Sequence, residues 1–135
     1  MGKKYHSGSH CKYLLKIHLI FVTKYRKRIL VNAVDEAIKQ IMFEVAGESD
    51  FTIEMMETEN GDHIHFLIDY PPTLTIASIV NRLKSMSTNR LWKQFGTYLK
   101  NNYWKEKTLW HDGYFCCSTG DASTDTIKRY IAEQG

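Results

Sequence analysis

Residues 63–70, HIHFLIDY, follow the short segment NGD at 60–62 and the run FTIEMMETE at 51–59. Both runs carry β-branched and aromatic residues in partial alternation, and Asn-Gly between such runs suits a tight hairpin turn. An antiparallel hairpin over 51–70 is therefore predicted. Side chains two positions apart on a strand point the same way, with their Cα atoms about 6 to 7 Å apart. His63 and His65 then share one face, Ile64 takes the other, and a single metal ion can meet both rings. Alone the pair is a weak signal, because two strand histidines that only hydrogen-bond are the commoner case.

On the N-terminal side, KYLLKIHLIFVT at 12–23 is apolar and β-branched and reads as a first strand, followed by the basic loop KYRKR. Asn32 is placed as the N-cap of a helix in which Val34, Ile38, Ile41, Met42 and Val45 recur at helical spacing and which closes on Gly47. On the C-terminal side Pro71 and Pro72 break the strand pattern. Leu74, Ile76, Ile79, Val80, Leu83, Met86, Leu91 and Phe95 then form the apolar stripe of a second helix, with Lys84, Arg90 and Lys93 on its other side. After an aromatic, loop-like stretch, GYFCCST at 113–119 reads as a fourth strand, and STDTIKRYIAEQ at 123–134 as a short terminal helix capped by Ser123 or Thr124. The order β-α-β-β-α-β-α is that of an α+β, ferredoxin-like (split βαβ) fold: a four-stranded antiparallel sheet, two helices on one face, and a C-terminal helix added. The other face is left open for chemistry.

A length of 135 residues suits a single domain, 1–135. No apolar run approaches the roughly 20 residues that span a bilayer, and no apolar region resembling a secretory signal follows the basic N-terminus, so a cytoplasmic location is expected. The three cysteines, Cys11, Cys116 and Cys117, are odd in number and two are adjacent, which suits neither a disulfide framework nor a C-x-x-C zinc site. The net charge of +3 is modest but segregated: residues 1–34 hold eight Lys/Arg and no acid, 35–69 hold ten acids against Lys39, and 70–105 hold six bases and no acid. Such basic blocks supply phosphate contacts, although a merely solvated basic face has the same composition.

The residues beside the histidine pair prune the metal chemistries. A metallo-β-lactamase-like site would need H-x-H-x-D-H, whereas Phe66 and Leu67 follow His65 here and no His follows Asp69. A structural zinc site would need four Cys/His ligands. What remains is an open site with two imidazoles and room for substrate oxygens. In the terminal helix Tyr130 and Gln134 lie at i and i+4 on one stripe, beside a docking stripe of Ile127 and Ile131. Lys128 and Arg129 flank the tyrosine, where they would favour phenolate over phenol.

Together, HIHFLI, FVTKYRKRIL, IASIVNRLKSMSTNRL, LWHDGYFCCSTG and TDTIKRYIAEQ make the chain resemble the single-tyrosine HUH (His-hydrophobic-His) transposases of the small insertion-sequence family, the IS200-like, TnpA type. The resemblance covers roughly residues 12–134. It departs from the family at Asn60-Gly61, where a less turn-like pair such as Met-Pro is expected before the Asp. The resemblance implies that His63 and His65 are metal ligands, that Tyr130 is the nucleophile and that Gln134 is a third ligand. It also implies a homodimer in which the tyrosine helix can be delivered to the partner's histidine pair.

The activity implied is cleavage and rejoining of single-stranded DNA at hairpin-containing element ends through a 5′-phosphotyrosine, with Mg²⁺ or Mn²⁺ as cofactor. Lys24, Arg26, Arg28, Lys84 and Arg90 are candidate phosphate contacts. Trp92, Trp104, Trp110 and Tyr114 could stack bases, although core packing explains most of them. The rival from another class is a non-catalytic single-stranded nucleic-acid-binding module on a ferredoxin-like sheet. It accounts for the charge blocks but leaves the histidine pair and Tyr130-Gln134 unexplained.

Overall fold

The computed structural model describes residues 5–8, 10–119 and 124–133, the last stretch with side chains from 129 onward. The main sheet consists of β1 (Lys16–Val22), β2 (Thr52–Glu59), β3 (His63–Asp69) and β4 (Phe115–Ser118), with helices α1 (Asn32–Gly47), α2 (Ile76–Asn102) and α3 (Thr124–Glu133). All pairings are antiparallel and the spatial order is β2-β3-β1-β4, the split βαβ arrangement expected from the sequence.

The period of two along each strand sorts the sheet into two faces. Leu19 and Phe21 of β1 and Ile64, Phe66 and Ile68 of β3 point to the helices, where they pack with Ile38, Ile41, Met42 and Val45 of α1 and Ile79, Val80, Leu83 and Leu91 of α2. The intervening residues point the other way. His63 lies opposite Val22, His65 opposite both Ile20 and Glu57, and Phe115 opposite Ile20. Ile20 and Val22 are fully buried yet lie outside the helix-side core cluster. Helix α3 lies on their face, with the Tyr130 ring centroid 5.5 Å from that of Phe115.

Three boundaries differ from the sequence reading. Lys12 and Tyr13 pair with His6 and Ser7 in a separate two-stranded ribbon, so β1 begins only at Lys16. The residue preceding α1 is the extended Val31, while Asn32 adopts φ 54° as the first helical residue, a conformation its short polar side chain tolerates. Helix α2 runs on to Asn102 through a break at Phe95 (φ −128°), because Leu99 beyond the break is fully buried and returns the chain to the core. At its start the Thr75 hydroxyl oxygen accepts from the Ser78 amide at 3.0 Å.

The loop entering β4 is fastened to α2 and β1 rather than loose. The Trp92 indole donates to Thr108 O at 2.9 Å, the Trp110 indole donates to Ser87 Oγ at 2.9 Å, and the His111 amide donates to Val22 O at 2.8 Å. The Lys84 ammonium donates to the carbonyls of His111, Asp112 and Gly113 at 2.8, 3.1 and 2.9 Å.

Ser87→Ala leaves the buried indole N–H of Trp110 without its acceptor. The expected cost is about 1–3 kcal/mol, seen as a lower urea midpoint at unchanged slope. An unchanged midpoint would show that this bond does not hold the loop.

Candidate active site

The turn into β3 fixes the first histidine. Asn60 and Gly61 both have positive φ, 56° and 70°, as a type I′ turn requires. A β-carbon on Gly61 would fall 3.0 Å from Val31 Cγ1, so the position favours glycine on space as well as on φ. The Leu30 amide donates to Gly61 O and the Thr23 amide to Asp62 O, each at 2.9 Å, tying this turn to the basic loop.

Asp62 is 3% exposed, and its Oδ1 lies 2.9 Å from His63 Nδ1. An ionised carboxylate can only accept, so Nδ1 carries a proton and points away from the open face. The Glu59 carboxylate lies 3.6 Å from that Nε2. Asp62 Oδ2 lies 3.6 Å from Arg26 Nε. Arg26 is presented by two successive left-handed residues, Tyr25 at φ 59° and Arg26 itself at φ 51°, an uncommon conformation for side chains of this size. Its Nη1 also donates to Ala132 O in the last turn of α3, at 3.5 Å.

His65 Nε2 lies 2.9 Å from Nδ1 of His18, so one ring donates and the other accepts. Burial, and next the neighbouring His18, push the His65 imidazole below its ordinary value. His63 and His65 thus share the open face, and the carboxylate behind His63 is the kind of partner that orients a ligating imidazole. Among the described residues no three His, Cys, Asp or Glu side chains converge on a common ion position. Two imidazoles on one face are a partial donor set, which an ion could use only with further ligands. Gln134 lies outside the described residues.

Tyr130 comes from α3 on the same face. Its hydroxyl is buried, has no hydrogen-bond partner among the described residues, and lies 3.6 Å from the place a β-carbon of Gly113 would take. Because the amide of nearby His111 bonds to Val22 O and Val22 faces His63 across β1 and β3, the hydroxyl and His63 occupy the same end of the sheet. Burial pushes the Tyr130 phenol up to about 12. The reading that basic neighbours would favour phenolate is thereby corrected: Arg129 is exposed, and loss of solvation decides the shift.

The cations chosen as phosphate contacts divide. Lys84 is committed to three carbonyls, Arg90 makes a two-pronged pair with Glu48 at 2.9 and 3.0 Å, and Arg26 faces Asp62. Arg28 is exposed, and Lys24 lies 3.6 Å from Asp112. Trp92 and Trp110 belong to the core, whereas Trp104 is 70% exposed and Tyr114 37% exposed. Asp62, His18 and His111 were not singled out from the sequence. Asp62 carried a signal, since an acid directly before the histidine pair can orient its first ring.

The protein family described as "Transposase IS200 like" matches residues 11–134. The chain is 30% identical over 122 residues to the ISDra2 transposase TnpA of Deinococcus radiodurans, covering 90% of this chain and 85% of that one. It is 30% identical over 129 residues to the transposase for insertion sequence element IS200 of Salmonella typhimurium, covering 95% and 82%. The crystal structure of a candidate transposase from Deinococcus radiodurans superposes with a TM-score of 0.88 at 29% identity, covering 96% of this chain and 97% of that one. A REP-associated tyrosine transposase bound to a REP hairpin shares the fold with a TM-score of 0.55 at 12% identity, covering 93% and 68%.

The raised phenol of Tyr130 is measurable as the tyrosinate absorbance of the wild-type chain minus that of Tyr130→Phe. The difference is expected to develop above pH 10, towards about 12. Because the folded value exceeds the unfolded one, the stability this group contributes is fully present below pH 10 and is lost as pH rises through about 12. A difference step at or below pH 10 would mean a solvated hydroxyl.

Proposed function

The chain belongs to the IS200-like transposases, and on that premise we propose that it cleaves and rejoins single-stranded DNA at insertion-sequence ends through a 5′-phosphotyrosine on Tyr130. The observation that carries the reading is the convergence, at one end of the open sheet face, of a buried tyrosine hydroxyl and a histidine whose ring is set by Asp62. The Tyr130 oxygen attacks phosphorus, the P–O3′ bond breaks, and a 3′-hydroxyl is released. One phosphodiester replaces another, so the hydroxyl of a second strand can reverse the step without ATP.

His63 and His65 would hold Mg²⁺ or Mn²⁺, with Gln134 as the third protein ligand in this reading. When bound, the ion supplies Lewis-acid polarisation of a non-bridging phosphate oxygen. The chain's own contribution is positional. Asp62 orients the ring of His63 through Nδ1, and α3 brings the hydroxyl to the same end of the sheet. Exposed Arg28 is the candidate phosphate contact least engaged within the fold. A hairpin-bearing end is the proposed substrate, the more distant structural neighbour being bound to a REP hairpin, and the acting form is proposed to be a homodimer.

Incubation with single-stranded element ends and Mn²⁺ is expected to give a denaturation-resistant protein–DNA adduct that Tyr130→Phe and chelation both abolish. Adduct formed by Tyr130→Phe would eliminate this nucleophile, and binding without any adduct would favour a binding module. Asp62→Asn replaces an obligate acceptor with an amide that can turn either way. Its expected effect is a 10–100-fold higher Mn²⁺ requirement, read by titrating the metal against adduct yield.

A further inference from the structure

We propose that His111 is a catalytic residue of this reaction, taking the phenolic proton of Tyr130 during cleavage and returning it during rejoining. The inference rests on the phosphotyrosine reading and adds to it the base that the reading lacks. A β-carbon placed on Gly113 would sit 3.5 Å from Nε2 and Cδ2 of His111 and 3.6 Å from the Tyr130 hydroxyl. The imidazole edge and the hydroxyl therefore border the same small space, kept open because residue 113 has no side chain. The hydroxyl has no acceptor among the described residues, so its proton has no other assigned destination.

The imidazole is held in place without being consumed. The His111 amide is bonded to Val22 O, its carbonyl is one of three gripped by Lys84, and the ring is half-buried. His111 also lines an open groove of about 760 Å³, with Asn81, Lys84, Thr88, Trp110 and Asp112, which gives a proton a path to solvent. The charged groups around it are Lys84, bound to the backbone of 111–113, and the exposed Asp112 with Lys24 at 3.6 Å; on α3, Arg129 is exposed. Burial has pushed the phenol up, so a base is needed for it to react near neutrality.

The step balances. The phenolic O–H breaks as N–H forms on the imidazole, the O–P bond forms as P–O3′ breaks, and the departing 3′-oxygen takes a proton from solvent. In rejoining, the attacking 3′-hydroxyl yields its proton to solvent and the imidazolium reprotonates the departing phenolate. The two groups border the Gly113 space without a direct hydrogen bond, so the transfer runs through one water in that space.

The test is the single-turnover rate of adduct formation by the full chain with Mn²⁺ and element-end oligonucleotides, followed against pH. The wild-type rate is expected to rise with pH as the base loses its proton, and then level. His111→Gln should lose about 10²–10⁴-fold and show no such levelling. His111→Ala should be rescued, with saturation, by added imidazole, while both variants melt as the wild type does. An unchanged rate and profile in His111→Gln, or a slow variant with the wild-type profile and no imidazole rescue, would overturn the assignment. A wild-type chain that forms no adduct at all would instead sink the phosphotyrosine reading on which the assignment rests.

Discussion

A carboxylate that is almost entirely removed from water must be surrounded by donors, because an isolated buried charge costs several kcal/mol. Asp62 meets that demand with the Nδ1–H of His63 and the guanidinium of Arg26, and much of the site's geometry follows from it. The left-handed pair Asn60-Gly61 swings Asp62 inward, Thr23 holds its carbonyl, and the two left-handed residues at 25 and 26 bring the arginine round to it. Strained backbone of this kind persists where its surroundings over-determine it, and here the surroundings are one ion cluster.

The same cluster protects the register of β3. A slip of one residue would exchange His63 and His65 for Ile64 and Phe66 on the open face and drive two imidazoles into the helix-side core. The Asp62–His63 bond, the type I′ turn and the full burial of Ile64, Phe66 and Ile68 all oppose that slip from different directions. The open face is then free to vary in chemistry: imidazoles beside Glu57 and Glu59 on one side, and apolar Ile20, Val22 and Phe115 on the other, where the tyrosine ring packs. Arg26 spans the two, reaching from Asp62 to the carbonyl of Ala132 at the C-terminal end of α3, where a cation is favoured.

The strands around His63 and His65, α1, the start of α2 and the position of Tyr130 were legible because each follows from a local period or turn. What the sequence concealed depended on partners distant in the chain. Helix α2 passes Phe95 because Leu99 finds a buried site, which no propensity near Gly96 signals. Lys84 and Arg90 read as cations on an exposed stripe, yet one is taken by a loop 27 to 29 residues away and the other by Glu48, 42 residues back. The phenol of Tyr130 lies between two facts of the same kind: its basic neighbours are visible in the sequence, whereas the burial that outweighs them is a property of the docked helix.

A buried hydroxyl without a partner costs about 1–3 kcal/mol, a cost that a fold selected only for stability would remove. Here the cost falls on the docked position of α3, since an undocked helix would expose the same hydroxyl to water. Anything that enters the space over Gly113 with a hydrogen-bond acceptor cancels that cost only in the docked state, and so strengthens docking by mass action. In the proposed reaction a phosphate oxygen at the histidine end of the sheet would be such an acceptor. Substrate binding and the seating of Tyr130 would therefore be coupled, in that reaction, through one atom that has no partner among the described residues.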